Sequence, residues 1–153
     1  VFKFFKSSQN KFDLIMIKQT LHFFNKDQRS KLIKTCKKNL KNNGVLLIFS
    51  LNILNNEIPS FKLMKQKINR GLKSDARMLK STCKILKNYM IDKFKFKVSI
   101  TKKKYIQMLR QKYISCIVNL TKNQINKGIR EIKDTYSKEI IFRDILICIK
   151  YKY

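Results

Sequence analysis

The order of apolar and polar positions along the chain predicts alternating strands and helices. Residues 12–17 (FDLIMI) and 45–51 (VLLIFSL) are short apolar runs without alternation, which is typical of strands covered on both faces of a parallel sheet. Between them, Asn25 stands three residues before Gln28, the spacing of a capping box, and apolar residues then recur at helical intervals. Gly44 predicts the end of that helix, because glycine takes the left-handed C′ conformation at low cost. Together these elements predict a right-handed βαβ unit.

The middle of the chain predicts two helices separated by a break. Ser60 can cap a helix that continues to about residue 72. Gly71 and Ser74 then predict an interruption, and apolar residues over 78–90 predict the second helix.

The last third of the chain changes character. Residues 94–100 (FKFKVSI) alternate strictly between apolar and polar, which predicts a half-exposed antiparallel strand. Residues 102–120 are apolar enough to form an inward-facing helical segment, and Thr121 begins a second capping-box pattern. Residues 139–150, rich in β-branched side chains, predict a final strand. Without internal repeats or a linker, the pattern favours one compact unit.

The chain is strongly basic, with 36 Lys and Arg against 9 Asp and Glu, a formal charge of +27. Such a field is typical of proteins that bind nucleic acid or anionic membranes. However, 30 of the basic residues are Lys, and Ile and Asn are also abundant, as expected from A/T-rich codons. The lysines are spread along the chain rather than gathered in blocks, so the pattern disfavours a nucleic-acid partner.

The cysteines carry no sign of a metal or disulfide framework. Cys36, Cys83, Cys116 and Cys148 stand more than thirty positions apart without any C-x-x-C pair, so we expect packed, reduced thiols and no metal site. No apolar run approaches the roughly 20 residues of a membrane helix. We therefore expect a cytoplasmic protein with no membrane partner.

Residues 12–51 resemble the fourth strand, following helix and fifth strand of class I S-adenosylmethionine-dependent methyltransferases. The resemblance rests on the F-D-L-I opening, an H-x-F-x-x-x-x-R-x-x-L stretch that begins at His22, and the N-G-hydrophobic entry into the next strand. It implies an α/β fold: the C-terminal portion of a Rossmann-like sheet, with parallel strands followed by an antiparallel hairpin. Residues 1–153 would form a partial methyltransferase domain, with residues 101–137 as a helical insertion covering the substrate site.

The sequence departs from this family where the cofactor, S-adenosylmethionine, is normally held. Family members use a glycine-rich turn after their first strand, whereas this chain has three glycines and no G-x-G. We therefore expect that the first three strand–helix units are absent from the sequence, and that residues 12–17 present an unpaired apolar edge. We expect this chain alone to bind the cofactor weakly or not at all, and a separate chain could supply the missing half.

The resemblance also nominates site residues. Lys18 and Gln19 follow the first predicted strand, where family members place the methionine portion of the cofactor, so both are candidate cofactor-binding residues. His22, the only histidine, is the candidate catalytic base, although its ring could equally cap a helix or pack against Phe23 and Phe24. Asp13 opens the strand, and we expect it to be structural.

Substrate-binding candidates lie in the predicted insertion. Tyr105, Arg110 and Tyr113 fall where relatives build substrate covers, and Arg110 could hold a carboxylate or phosphate through two parallel hydrogen bonds. The sequence thus favours methyl transfer to a small-molecule acceptor by a fragment of the full enzyme. The alternative is a non-catalytic basic binding protein or subunit that contacts nucleic acid, because a fold alone does not decide function.

Overall fold

A computed structural model of the chain describes residues 2–7, 10–52, 54 and 57–153. It contains four strands: β1 (Phe12–Lys18), β2 (Leu40–Leu51), β3 (Met90–Thr101) and β4 (Glu139–Lys152). The helices among the described residues are α1 (Phe2–Ser7), α2 (Lys26–Lys38), α3 (Lys62–Leu86), α4 (Lys102–Arg110) and α5 (Lys122–Thr135), with short 3₁₀ turns at Leu21–Phe23 and Ser115–Ile117. None of these helices is both long and apolar enough to cross a membrane.

The strands form one sheet in the order β1-β2-β4-β3. β1 and β2 are parallel, and β4 pairs with β2 in the antiparallel direction. This confirms the α/β fold class predicted from the sequence, with a parallel pair followed by antiparallel strands. The parallel pair begins the sheet because α2 returns the chain to the same end before β2, as a βαβ unit requires.

The chain divides into two compact units. The first unit consists of Val1–Ile53, Asp75–Phe94 and Leu146–Tyr153. The second consists of Leu54–Ser74 and Lys95–Ile145. The division falls within α3, beside the residues at which the sequence predicts a break.

In the first unit, one face of the sheet is covered by helices. The register aligns Ile17 with Ile48 and Ile48 with Ile149, so their side chains share that face. We call it the covered face; its buried members are Ile17, Leu46, Ile48, Ile149 and Tyr151. They form one hydrophobic core with α2 and the C-terminal part of α3, through Leu32, Ile33, Cys36, Met78, Leu79, Cys83 and Leu86.

On the opposite face, the side chains of β1 and β2 are exposed or only half-buried. Leu14 pairs with Val45 and Met16 with Leu47, so these four side chains lie together. We call this surface the open face; it comprises Leu14, Met16, Val45, Leu47, Phe49 and Phe94, whose ring centroid lies 5.7 Å from that of Phe49. None of these six belongs to a hydrophobic core that the described residues form.

The entry into β2 differs from the prediction. Helix α2 ends at Lys38 with Asn39 as its cap, and Gly44 lies inside β2 instead of at the helix C′ position. The left-handed conformation belongs to Asn43, with φ of 65°, whereas no described glycine has a positive φ. Phe12 pairs with Leu40, and the next paired position is Leu14 with Val45. The chain therefore advances two residues in β1 but five in β2, which forms a bulge. Gly44 is needed there because a Cβ would lie 2.9 Å from two carbonyl oxygens.

The predicted break in the middle helices is also wrong, because α3 is a single 25-residue helix. Gly71 is exposed, and a Cβ at this position would meet no atom within 4 Å, so it interrupts nothing. The inward apolar residues keep their helical spacing on both sides of Gly71. This periodicity favours one continuous helix more strongly than the glycine favours a break. Ser60 is not the cap either: the helix begins at Lys62, whose amide donates to Glu131 Oε2 at 2.8 Å.

The second unit builds its own core. Helix α4 ends at Arg110, so the predicted segment 102–120 is a short helix followed by a turn and a 3₁₀ turn. The predicted capping box at Thr121 is confirmed, as is the one at Asn25. The core comprises Phe61, Met64, Tyr105, Ile106, Leu109, Ile117, Leu120, Ile125, Ile129, Ile132 and Ile140. At its tightest point Gly128 packs directly on the Phe61 ring.

Two further predictions concern β3 and the cysteines. The strand predicted at 94–100 exists within β3, but residues 90–97 are exposed throughout, and the burial of side chains alternates only from Val98 onward. The four thiols are free and packed, as predicted: Cys116 is half-buried, and the other three are buried.

Candidate functional site

The polypeptide turns sharply at the carboxyl end of β1. Gln19, the first residue after the strand, has φ of 50°, in the left-handed region that non-glycine residues rarely adopt. Its amide donates to Phe49 O at 2.9 Å, which ties the turn to the neighbouring strand β2. The chain then enters the 3₁₀ turn, anchored by the buried side chain of Leu21. Lys18, Gln19 and His22 are therefore held together at one end of the sheet, and all three are exposed.

His22 lies on the surface of this turn. Its ring centroid is 4.1 Å from that of Phe23, which is itself 72% exposed. The ring contact predicted as the alternative to catalysis therefore exists, but it leaves the imidazole accessible to solvent. A base that must take a proton from a bound molecule needs this accessibility.

Asp75 of α3 was not predicted from the sequence. Partial burial raises the pKa of this carboxyl, and the nearby His22 lowers the same pKa by a smaller amount. A carboxyl whose charge interacts with the only histidine lies near the imidazole. The only signal in the sequence was that acidic residues are scarce in this basic chain.

Two polar residues at the carboxyl end of β2 were also missed. Ser50 lies near the end of β2 and Asn52 directly follows the strand; both are buried, with 7% and 6% of their surface exposed. Ligands of open α/β sheets bind beyond the carboxyl ends of the strands, where these residues lie next to the β1 turn. A polar residue that ends an apolar run is the signal that could have found them.

The chemistry available at the β1 end is the donation of hydrogen bonds and the acceptance of protons. The Lys18 ammonium and the Gln19 amide are donors suited to a carboxylate, and the His22 imidazole is a base. The three glycines of the chain lie elsewhere: Gly44 is near the amino end of β2, and the others are within α3 and α5. The residues present therefore fit a charged carboxylate, but they do not form a glycine-rich cradle for a whole nucleoside-containing cofactor.

Asp13 lies at the other end of β1. It forms an exposed ion pair with Lys41, with 2.9 Å between Oδ2 and Nζ. The hydrogen bond and charge of Lys41 lower the pKa of this carboxyl. Its place at the amino end of the strand fits the structural role expected from the sequence.

The substrate-binding candidates belong to the second unit and differ in their exposure to solvent. Tyr105 is a core residue, 2% exposed, whose hydroxyl donates to Pro59 O. Burial first, and then the charges of Tyr136 and Cys116, raise its pKa above the ordinary range. Arg110 ends α4 and Tyr113 follows the turn at Lys112; both are exposed. Only the last two can meet a ligand from solvent without rearrangement.

A shallow depression lies on the solvent side of α2. It is lined by Asp27, Ser30, Lys31, Lys34, Thr35 and Lys38. All of these come from one helix, and none comes from the strand ends. It therefore does not form part of the candidate site.

Comparison with known proteins gives structural matches only. No protein-family model and no curated protein matches the chain. Among solved structures, a methyltransferase candidate from Bacillus halodurans C-125 is 10% identical with a TM-score of 0.47, covering 94% of this chain and 64% of that one. The mycolic acid cyclopropane synthase CmaA1, complexed with SAH and CTAB, is 11% identical with a TM-score of 0.40, covering 97% and 58%. The chain thus spans less than two thirds of either structure, and likenesses at this level assign it to no family.

Proposed function

We propose that this chain is part of an enzyme that transfers a methyl group from S-adenosylmethionine to a small-molecule acceptor. The observation that carries the proposal is the arrangement of residues at the carboxyl end of the parallel strands β1 and β2. There, the turn at Gln19 is hydrogen-bonded to β2 and presents Lys18 and His22 to solvent. The same residues, 12–51, carry the sequence resemblance to class I methyltransferases, and the last strand returns antiparallel, as that resemblance implies.

Each residue at this end has a proposed role. Lys18 and Gln19 donate hydrogen bonds to the carboxylate of the methionine portion of the cofactor. The cofactor, when bound, supplies an activated methyl group, so the protein contributes mainly by positioning the acceptor. His22 takes the proton that an acceptor hydroxyl or amine releases, and Asp75 is the acidic group whose charge interacts with it.

The cofactor is bound incompletely by this chain. Its glycines lie away from the strand ends, so backbone amides cannot approach a nucleotide-like ligand there in the usual way. We therefore propose that binding to the chain alone is weak, in the millimolar range, and confined to the methionine portion. A separate chain that supplies the remaining strand–helix units would tighten it.

The experiment is a nuclear magnetic resonance titration of the isotopically labelled chain with S-adenosylhomocysteine. We expect amide shifts centred on Gln19 and His22, with the same shifts from free methionine and none from adenosine, because the contacts are with the methionine portion. Lys18→Met should abolish these shifts. Lys11→Met, at the opposite end of β1, is the matched control and should retain them.

Two outcomes would contradict the proposal. Amide shifts that are spread evenly over the chain, or that are absent at millimolar ligand, would show that the cofactor does not bind at this end of the sheet. Micromolar affinity measured by calorimetry would show instead that the chain holds the whole cofactor, and that the missing glycine-rich turn is not required.

A further inference from the structure

The open face is a continuous apolar surface within the first unit. Leu14 and Met16 are 51% and 54% exposed, and Phe94 is 49% exposed. The strand register joins the first two to Val45 and Leu47, which are half-buried, so the exposed groups are neighbours rather than scattered residues. Contiguous apolar surface of this kind on soluble proteins marks a site of interaction.

The open face extends to an edge of the sheet. β1 is the first strand in the order β1-β2-β4-β3, so one side of its backbone is not paired within the sheet. Exposed edges with apolar side chains invite other polypeptides to dock or pair there. The apolar surface and this edge meet at Leu14 and Met16.

Lysines border the open face. Lys18 pairs with Phe49, Lys150 with Leu47 and Lys152 with Val45, so their side chains lie on the same side of the sheet as the apolar residues. Asp92 is an acidic residue near this surface, since its charge acts on the pKa of Cys148 in β4. The border is therefore positive overall and complements carboxylates.

We infer that the open face binds a partner polypeptide whose apolar side chains are flanked by Asp or Glu, such as an amphipathic helix laid across β1 and β2. The helix would bury Leu14, Met16 and Leu47, and its acidic residues would meet Lys18, Lys150 and Lys152. A second copy of this chain is a poor occupant, because two chains of charge +27 repel each other.

Nucleic acid fits the same surface less well than a polypeptide does. Single-stranded nucleic acid binds on rows of aromatic rings, on which successive bases stack. The centre of the open face is aliphatic, formed by Leu14, Met16, Val45 and Leu47, and the two phenylalanines contact one another at one side. The composition therefore favours burial against apolar side chains over base stacking.

The probe for a test is a synthetic 18-residue amphipathic helix with a leucine face bordered by glutamates. Fluorescence anisotropy should show saturable binding to the chain, and the same peptide with lysines in place of glutamates should bind at least tenfold more weakly. Met16→Glu should weaken binding of the glutamate peptide at least tenfold. Val118→Glu is the matched control, since Val118 is 51% exposed in the second unit; it should change affinity less than twofold.

A second variant covers the case in which Met16→Glu does not fold. Lys150→Glu keeps every apolar group of the open face and reverses one charge at its border. This variant should therefore reduce the ratio of the affinities for the glutamate and lysine peptides at least threefold. Equal binding of both peptides, or equal effects of Met16→Glu and Val118→Glu, would overturn the inference. So would displacement of the peptide by oligothymidylate, or a concentration-dependent dimer in sedimentation that Met16→Glu abolishes.

Discussion

The covered and open faces of the sheet in the first unit have nearly the same composition but very different surroundings. Along β2, Leu46 and Ile48 are fully buried under helices, whereas Leu47 between them is half-buried. The apolar run has no alternation, which by itself predicts a strand covered on both faces. The apolar sequence of β2 is therefore suited to a sheet that is buried on both faces, whereas the described residues bury only one of them.

The largest expected effect is a difference in stability between variants at two neighbouring residues of β2. Ile48→Ala should lower the free energy of unfolding by about 2–5 kcal/mol, because it leaves a cavity in a core that α2 and α3 close. Leu47→Ala should cost less than about 1.5 kcal/mol, since solvent already reaches this side chain. Urea denaturation of both variants measures the difference.

The matched pair distinguishes a one-sided sheet from a sheet that is buried on both sides. Equal losses for Ile48→Ala and Leu47→Ala would show that the open face is covered in solution. If the peptide probe bound to the open face, its presence should enlarge the loss caused by Leu47→Ala while leaving that of Ile48→Ala unchanged.

The next effect depends on pH and reports on the covered face. Burial of Cys36 raises the pKa of its thiol from 9.0 to about 11. Below pH 9 the thiol is neutral in both states, so its contribution to stability is fully present. As the pH rises through 11 this contribution is lost, since the unfolded chain ionises first. Two pKa units correspond to about 2–3 kcal/mol, measured as the fall in unfolding free energy between pH 8.5 and 11.5.

Cysteine variants on the two faces isolate this contribution from other groups that titrate in the same range. Cys36→Ala should make the fall with pH visibly shallower. Cys148 pairs with Phe49 and so lies on the side of the open face, where it is nevertheless buried; burial and then the charge of Asp92 raise its pKa. Cys148→Ala should therefore make the fall with pH shallower as well, and no change in this variant would show that solvent reaches the thiol from the open side.

The strands and caps were predictable because their signals are local. The apolar runs located β1 nearly to the residue and gave the C-terminal end of β2, and the Asn25 and Thr121 patterns gave true capping boxes. The bulge at Gly44 was not predictable, because the glycine is needed for a close approach by Phe12, thirty-two positions away along the chain. The continuity of α3 was missed because a glycine that meets nothing has the same local signal as one that ends a helix.

The candidate site was predictable only where its residues are adjacent in sequence. Lys18, Gln19 and His22 follow one strand, so the position of that strand located all three. Asp75 lies fifty-three positions from His22, so the electrostatic interaction between them arises only from the fold, and the burial of Asn52 likewise does not follow from its residue type. Tyr105 has the same polar signal as Tyr113, yet only the fold reveals that one is buried and the other exposed.

The smallest expected effect concerns the helix that forms part of the cover. If α3 is continuous, Gly71→Ala should raise the free energy of unfolding by about 0.5–1 kcal/mol, because alanine loses less backbone entropy in a helix and its methyl group meets nothing. Gly128→Ala in α5 is the matched control and should be destabilising, since its Cβ would lie 2.5 Å from the Phe61 ring. Thermal and urea unfolding measure both. A loss of stability from Gly71→Ala would mean that residue 71 interrupts α3, and the cover of the sheet would then rest on a separate C-terminal helix.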